Sequence, residues 1–252
     1  MSKEGNQDYA KQMAKIDRRL AREMFVWQKA RHPNLTPLLG FMRSTNSILL
    51  GDCPFLVSPY YKNGNMNAYL GKHPNADVLA ILRQAASGLN FLHTFEPFPI
   101  AHLDIKGENI LINDAEEASI CDFGVSRMMD ELSTGFTTSN PVLTLSFAPP
   151  EILNGGKGNT TADAFSFGGL MLQALSGKAP YYRWRKIPAR ITLAVMDGKQ
   201  PQQADHPITR LPIRALSDAW ALMKRCWNKE QSDRPTMKNI LDDLEAITAL
   251  SE

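Results

Sequence analysis

The sequence predicts an α+β fold in which a small sheet precedes a larger helical lobe. Three observations predict it. Residues 77–93, 161–175, 213–227 and 236–250 carry helical apolar periodicity or are apolar nearly all round. The strand candidates ahead of them, at 35–41, 48–50 and 55–58, are all short. Between the two parts, residues 102–124 (HLDIKGENILINDAEEASICDFG) read as loop, strand, turn, strand, loop, with polar groups projecting from both loops.

The chain has 252 residues, enough for one domain of two lobes sharing a cleft, with 1–59 as the small lobe and 60–252 as the large one. A hydrophobic fraction of 43% supplies a sizeable core. The 28 basic and 26 acidic residues leave a net charge of +2, which gives no electrostatic case for nucleic acid or an anionic membrane. Cys53, Cys121 and Cys226 are widely spaced, follow no metal-ligand pattern and suit reduced thiols. No apolar run approaches the ~20 residues of a membrane span. The polar start MSKEGNQDYA is not a signal peptide. These features predict a soluble cytoplasmic protein with no membrane span and no nucleic-acid partner.

In chain order, a helix is predicted from about residue 17 to 31, with Leu20, Met24 and Trp27 on one face. His32-Pro33-Asn34 stops it, because a residue before proline avoids helical backbone. The strand candidates follow, the last closed by Pro59, and residues 60–65 read as a connector. In the helix at 77–93, Val78, Leu79, Leu82, Ala85, Ala86, Leu89 and Leu92 form one stripe. Ile110-Leu111-Ile112 and Ser119-Ile120-Cys121 are strands around an Asn113-Asp114 turn. Residues 125–147 form a Ser/Thr-rich loop with Ser133, Thr134, Thr137, Thr138 and Ser139; such residues suit a solvated loop and also offer phosphorylation sites. Asp163 is the lone acid of the apolar helix at 161–175, and a buried acid needs partners. Residues 177–190 are a basic, aromatic loop, read as helix-to-helix packing or as a partner surface. The final helix places Met237, Ile240, Leu244, Ile247 and Leu250 on one face.

The spacing within 102–124 suits phosphoryl transfer, where catalysis is positioning plus charge neutralisation. An acid must orient the attacking hydroxyl, a lysine can steady the moving charge, and an oxygen ligand with a second acid can hold magnesium. Asp104, Lys106, Asn109 and Asp122 are the right types in the right order.

At these residues the chain resembles a eukaryotic protein kinase. His102-Leu103-Asp104 with Asn109 is similar to the catalytic loop H-R-D-x-x-x-x-N, Asp122-Phe123-Gly124 is D-F-G, and Pro149-Pro150-Glu151 resembles A-P-E. The resemblance runs from about residue 17 to 250. It implies a protein kinase-like fold with a helical C-lobe and a shortened N-lobe sheet. It implies ATP and Mg2+ as cofactors and a protein as substrate or partner. Asp104 and Lys106 would be catalytic, and Asn109 and Asp122 would hold the metal. Leu111 would pack under the adenine, the Pro59 carbonyl and Tyr61 amide would meet its edge, and Ser58 would guard the pocket behind. Glu23 would sit at the ion-pairing position of the helix before the sheet; on the bare sequence Arg19 can pair with it instead. Asp163 would bond catalytic-loop amides, and Arg234 would pair with Glu151. Asp-Ile-Lys-Gly-Glu-Asn and Thr144 resemble serine/threonine kinases, and Cys226 with Arg234-Pro235 resembles the tyrosine-kinase-like group.

The pattern also has departures. No glycine-rich loop and no V-A-x-K lysine precede Glu23; only 22 residues stand there, and three strands with turns need about 25. Leu103 replaces the arginine of H-R-D, Leu143 stands where a glycine precedes the threonine, and Pro149 replaces the A-P-E alanine. The expectation is therefore a serine/threonine kinase-like domain with weak nucleotide binding. Two alternatives stay open: a catalytically dead pseudokinase or scaffold, or an incomplete chain of a longer kinase.

Overall fold

Five stretches are described by a computed structural model: residue 24 and residues 27–43, 54–122, 127–128 and 145–251. Glu23, the segment before it, Cys53, the strand candidate at 48–50, Phe123, Gly124, the Ser/Thr-rich loop at 133–139, Leu143 and Thr144 lie outside the described residues.

In the N-terminal part, β1 (Gly40–Arg43) pairs antiparallel with β2 (Pro54–Val57), Gly40 opposite Val57. The strand predicted from residue 35 begins only at Gly40. Pro37 has no amide hydrogen to give a ladder, and the segment ahead of it is stitched elsewhere. Leu35 bridges to Ile120, Thr36 N donates to the Ile120 carbonyl at 2.8 Å, and Ile120 N donates to the Asn34 carbonyl at 2.9 Å. The Trp27 indole caps this junction by donating to the Thr36 carbonyl.

The larger lobe is layered around α4 (Thr160–Ser176), buried from Ala162 to Leu175. Asn159 caps its start, and Gly177, at φ 71°, ends it in the left-handed region that glycine adopts without strain. Gly168 lets a neighbouring helix approach: a Cβ there would lie 2.7 Å from Cys226 Cβ. That neighbour is α6 (Ile213–Cys226), which packs on α4 and on α7 (Met237–Ala249). Helix α2 (Val78–His93), capped by Asp77 accepting from Ala80 N at 2.9 Å, packs between α7 and α4. Its whole predicted stripe is buried, and each such aliphatic side chain contributes roughly 1.5–3 kcal/mol. On α7, Met237, Ile240, Leu244 and Ile247 are buried; Leu250 is the cap residue past the helix and is exposed.

Several short elements have no counterpart in the sequence reading. Helix α1 (Met66–Lys72) follows the connector, α3 (Pro150–Leu153) carries Glu151, and the basic loop holds a 3₁₀ turn at Tyr182–Trp184 and the start of α5 (Pro188–Met196). Strand β3 (Ile100–Ala101), also without a counterpart, pairs with β6 (Arg127–Met128), whereas β4 (Ile110–Ile112) and β5 (Ala118–Ile120) are the two strands expected around the Asn113-Asp114 turn; both pairs are antiparallel. No helix among the described residues is long and apolar enough to cross a membrane. The protein is thus an α+β fold of mostly helical content with short sheets.

Candidate active site

The β4–β5 hairpin aims two loops at one place. Its tip is closed by the Asn113 side chain, which accepts from Ala115 N and Glu117 N at 2.9 Å each. Ile110 and Ile112 are fully buried, so strand alternation turns Leu111 to the opposite, half-buried face. At the open end, Cys121 N donates to the Asn109 carbonyl at 2.9 Å, which sets Asp122 beside the loop carrying Asp104.

Within that loop, Lys106 Nζ lies 2.7 Å from Asp104 Oδ2. Asn109 Nδ2 donates to the same oxygen at 2.9 Å and to the Asp104 carbonyl at 2.8 Å. All three residues are buried, and Asp104 Oδ1 is engaged by no described residue. Asp104 lines a small cavity with Leu103, Phe147, Pro149, Ile152 and Ser166.

The loop is held from below by Asp163. Its Oδ2 accepts from His102 N at 2.7 Å and lies 2.8 Å from His93 Nε2, and its Oδ1 accepts from Leu103 N at 2.7 Å. Those bonds answer the question raised by a fully buried acid. They also fix Leu103 at φ 68°, a left-handed conformation that costs a leucine of order 1–3 kcal/mol. Asp122, at φ 62°, is the matching strained residue on the second loop. His102 joins the two: Asp104 N donates to its Nδ1 at 3.3 Å, so its Nε2 carries the proton and donates to the Cys121 carbonyl at 3.0 Å. Burial, with Asp122 and Asp104 nearby, pushes the Cys121 thiol up to about 12.

The structure brings Asp104, Lys106 and Asn109 together by direct bonds and sets the exposed Asp122 alongside. Pro59 and Tyr61 stand on the connector, which reaches the hairpin through Ile112 N donating to the Gly64 carbonyl at 2.9 Å. Neither the Pro59 carbonyl nor the Tyr61 amide bonds another described residue. Both Nδ2 bonds of Asn109 go to Asp104, which leaves its amide oxygen for a cation; with the Asp122 carboxylate this is an oxygen-only, partly open donor set. Such a set fits magnesium, which keeps several waters and takes the rest of its shell from phosphates. No cluster of three or more His, Cys, Asp or Glu able to hold a metal occurs among the described residues.

Two positioning residues escaped the sequence reading. Gln173 Oε1 accepts from Gly107 N at 3.0 Å, and a Cβ on Gly107 would meet that oxygen at 2.7 Å. Its signal was a polar residue inside a helix buried all round. His93 had no signal beyond its place in the last turn of α2. At the far side of the cavity, Arg234 grips Glu151 with two bonds, 2.6 and 2.9 Å, and also donates to the carbonyls of Asn228 and Thr161.

The family model described as protein kinase domain matches residues 2–244, a longer reach at the start than the resemblance read from about residue 17. The chain is 31% identical over 243 residues to the leucine-rich repeat receptor protein kinase MSP1 of Oryza sativa subsp. japonica, covering 90% of this chain and 18% of that protein. It is 28% identical over 245 residues to the L-type lectin-domain containing receptor kinase I.7 of Arabidopsis thaliana, covering 91% and 35%. It is 26% identical over 230 residues to the serine/threonine-protein kinase 12 of Arabidopsis thaliana, covering 89% and 47%. The chain spans less than half the length of each of these relatives.

Proposed function

This chain belongs to the protein kinase domain family, and from that premise we propose that it transfers the terminal phosphoryl group of ATP to a serine or threonine hydroxyl of a protein. Use of ATP, a divalent metal and a protein substrate is general to the family; the residue roles and the choice of magnesium are part of the proposal. The observation that carries it is the Asp104 carboxylate, one oxygen held by Lys106 and Asn109 and the other open beside a cavity.

In this reading Asp104 Oδ1 orients the incoming hydroxyl and accepts its proton. Lys106, fixed at 2.7 Å from the other oxygen, keeps positive charge near the group in flight. Asn109 and Asp122 would hold magnesium, which when bound neutralises phosphate charge. Leu111, Pro59 and Tyr61 would receive the adenine. The Lys106 placement supports the serine/threonine assignment, and the Arg234–Glu151 pair with Cys226 supports the tyrosine-kinase-like group. Cys121 and Cys226, both free, support a reducing compartment such as the cytoplasm.

The test is a phosphotransfer assay with Mg-ATP on the chain and on Asp104→Asn, beside nucleotide titration calorimetry. Turnover should fall by about 10²–10⁴-fold in the variant, the typical contribution of a positioned acid or base, with nucleotide binding retained. Equal turnover, or nucleotide binding by a wild-type chain that transfers nothing, would overturn the proposal.

A further inference from the structure

Between Asp163 and Asp197 the chain has no acidic residue, yet it carries Lys178, Arg183, Arg185, Lys186 and Arg190. The structure turns this stretch into a fixed surface. Tyr181 is buried and its hydroxyl donates to the Lys199 carbonyl at 2.7 Å; Trp184 stacks on it at 5.9 Å. On this base the cations are laid over rings: Arg185 lies 4.2 Å and Lys178 5.5 Å from the Tyr182 ring centre, and Arg190 lies 4.8 Å from that of Trp184. Aromatic faces orient a cation without neutralising it. Arg183 has a carboxylate partner, Asp205 at 2.7 Å; Arg185, Lys186 and Arg190 have none among the described residues.

Helix α5 adds a second character. Ile191, Ala194 and Val195 are buried, which leaves Arg190 and Leu193 turned away from the core, and Ile187, the residue before the helix, is exposed as well. Ile187 is 50% and Leu193 64% exposed. Two exposed aliphatic side chains thus stand among three cations, Arg185, Lys186 and Arg190, that have no carboxylate partner among the described residues. The surface is also well placed: α5 packs against α3, whose Ile152 lines the cavity at Asp104.

The geometry points to a docking surface for an acidic segment of the protein substrate, with carboxylates interleaved with aliphatic side chains, which holds the substrate while its hydroxyl reaches Asp104. The occupant follows from complementarity. Carboxylates answer Arg185, Lys186 and Arg190, and aliphatic groups answer Ile187 and Leu193. A nucleic-acid backbone would leave the two aliphatics unused, and a near-balanced net charge of +2 gives no general attraction for nucleic acid or an anionic bilayer. The inference rests on the phosphotransfer reading for its purpose, though not for the binding itself.

Binding is measured directly, by fluorescence anisotropy of a labelled Leu-Glu-Glu-Leu-Glu-Glu-Leu peptide on the full chain. The comparison is with the triple variant Arg185→Gln, Lys186→Gln, Arg190→Gln and with Leu193→Ser, each checked by thermal melting. The triple variant should bind about tenfold or more weakly, salt should weaken the wild-type complex, and Leu193→Ser should weaken it with every charge in place. Equal binding by the triple variant, or equal binding of a peptide with lysine for glutamate, overturns the inference. So does tighter binding of a single-stranded oligonucleotide or a phosphatidylserine vesicle than of the acidic peptide. With a serine appended to the peptide, the triple variant should raise KM and leave kcat unchanged, and a short serine peptide without the acidic arm should not distinguish the variants. Transfer that ignores the arm overturns docking alone; docking without any transfer overturns the phosphotransfer reading alone.

Discussion

Asp163 accepts three hydrogen bonds from groups 60, 61 and 70 residues earlier in the chain, and it has no exposed surface. Asp163→Ala would strand the buried His102 amide and the part-buried Leu103 amide, at about 1–3 kcal/mol each. At roughly 2–4 °C per kcal/mol for a domain of this size, the melting temperature should fall by several degrees or more. Asp122 is exposed, so Asp122→Ala should leave the melt of the metal-free protein nearly unchanged and remove metal-dependent nucleotide binding; the two melting curves, with calorimetry, check this order. Cys121 gives a pH prediction. Its thiol is raised from 9.0 to about 12 in the fold, so the unfolded chain ionises first. The contribution to stability is complete below about pH 9 and declines as pH rises from there toward 12. At pH 8.5, iodoacetamide should spare Cys121 in the native chain and modify it in urea, as read by peptide mass spectrometry. Asp104, Lys106, Asn109 and Asp122 were legible in the sequence because one local stretch carries them in order. His93 and Gln173 were not, because His93 meets Asp163 across 70 residues and Gln173 meets the loop across 66, and sequence spacing holds no record of either approach.

Among elements, the long helices α2, α4, α6 and α7 announced themselves by period, and their observed ends lie within a residue or two of the predicted ones. The short ones did not. Helices of 4, 7 and 9 residues give too few turns for a period to emerge, although Pro188 at the start of α5 was a usable signal. Strand β1 was placed too early because the apolar run at 35–41 mixes a bridge to the far lobe with a true strand. The pairing of α3 with the turn before α7 was legible only through the kinase resemblance. Arg234 has no exposed side-chain surface, so Arg234→Met leaves Glu151 uncompensated and should destabilise the fold by about 3–5 kcal/mol in urea unfolding. Arg234→Lys should recover only part, since an ammonium cannot bind both carboxylate oxygens in a fork. At the crossing of α4 and α6, Gly168→Ala should cost roughly 1–3 kcal/mol through overpacking against Cys226 and Trp227.

For the whole molecule, stability should be graded from one part to the other. Two strands pair at residues 40–57 with Leu39, Phe41 and Met42 exposed, whereas α4 lies inside the helical lobe. A pair of strands is marginal by itself. Native-state hydrogen exchange should find the amides of β1 and β2 opening well before those of α4, by subglobal rather than global unfolding; equal protection would contradict this. A second expectation concerns Leu103. An aliphatic side chain cannot grip a phosphate, so phosphorylating Thr137 or Thr138 should leave activity within about threefold, against the larger rises that new arginine–phosphate pairs produce elsewhere.

The bonds to Asp163 also set an order in time. The loop bearing Asp104 is synthesised about sixty residues before the carboxylate that holds it, and Glu151 precedes Arg234 by 83. A growing chain therefore carries Asp104, Lys106, Asn109 and Asp122 well before the bonds to Asp163 that anchor the loop bearing Asp104 can form. The loop is anchored by the late arrival of α4, and Glu151 is paired only once the turn at Arg234 has been made. Nascent chains stalled short of residue 160 should be cut by protease within residues 102–109, and the released full chain should resist.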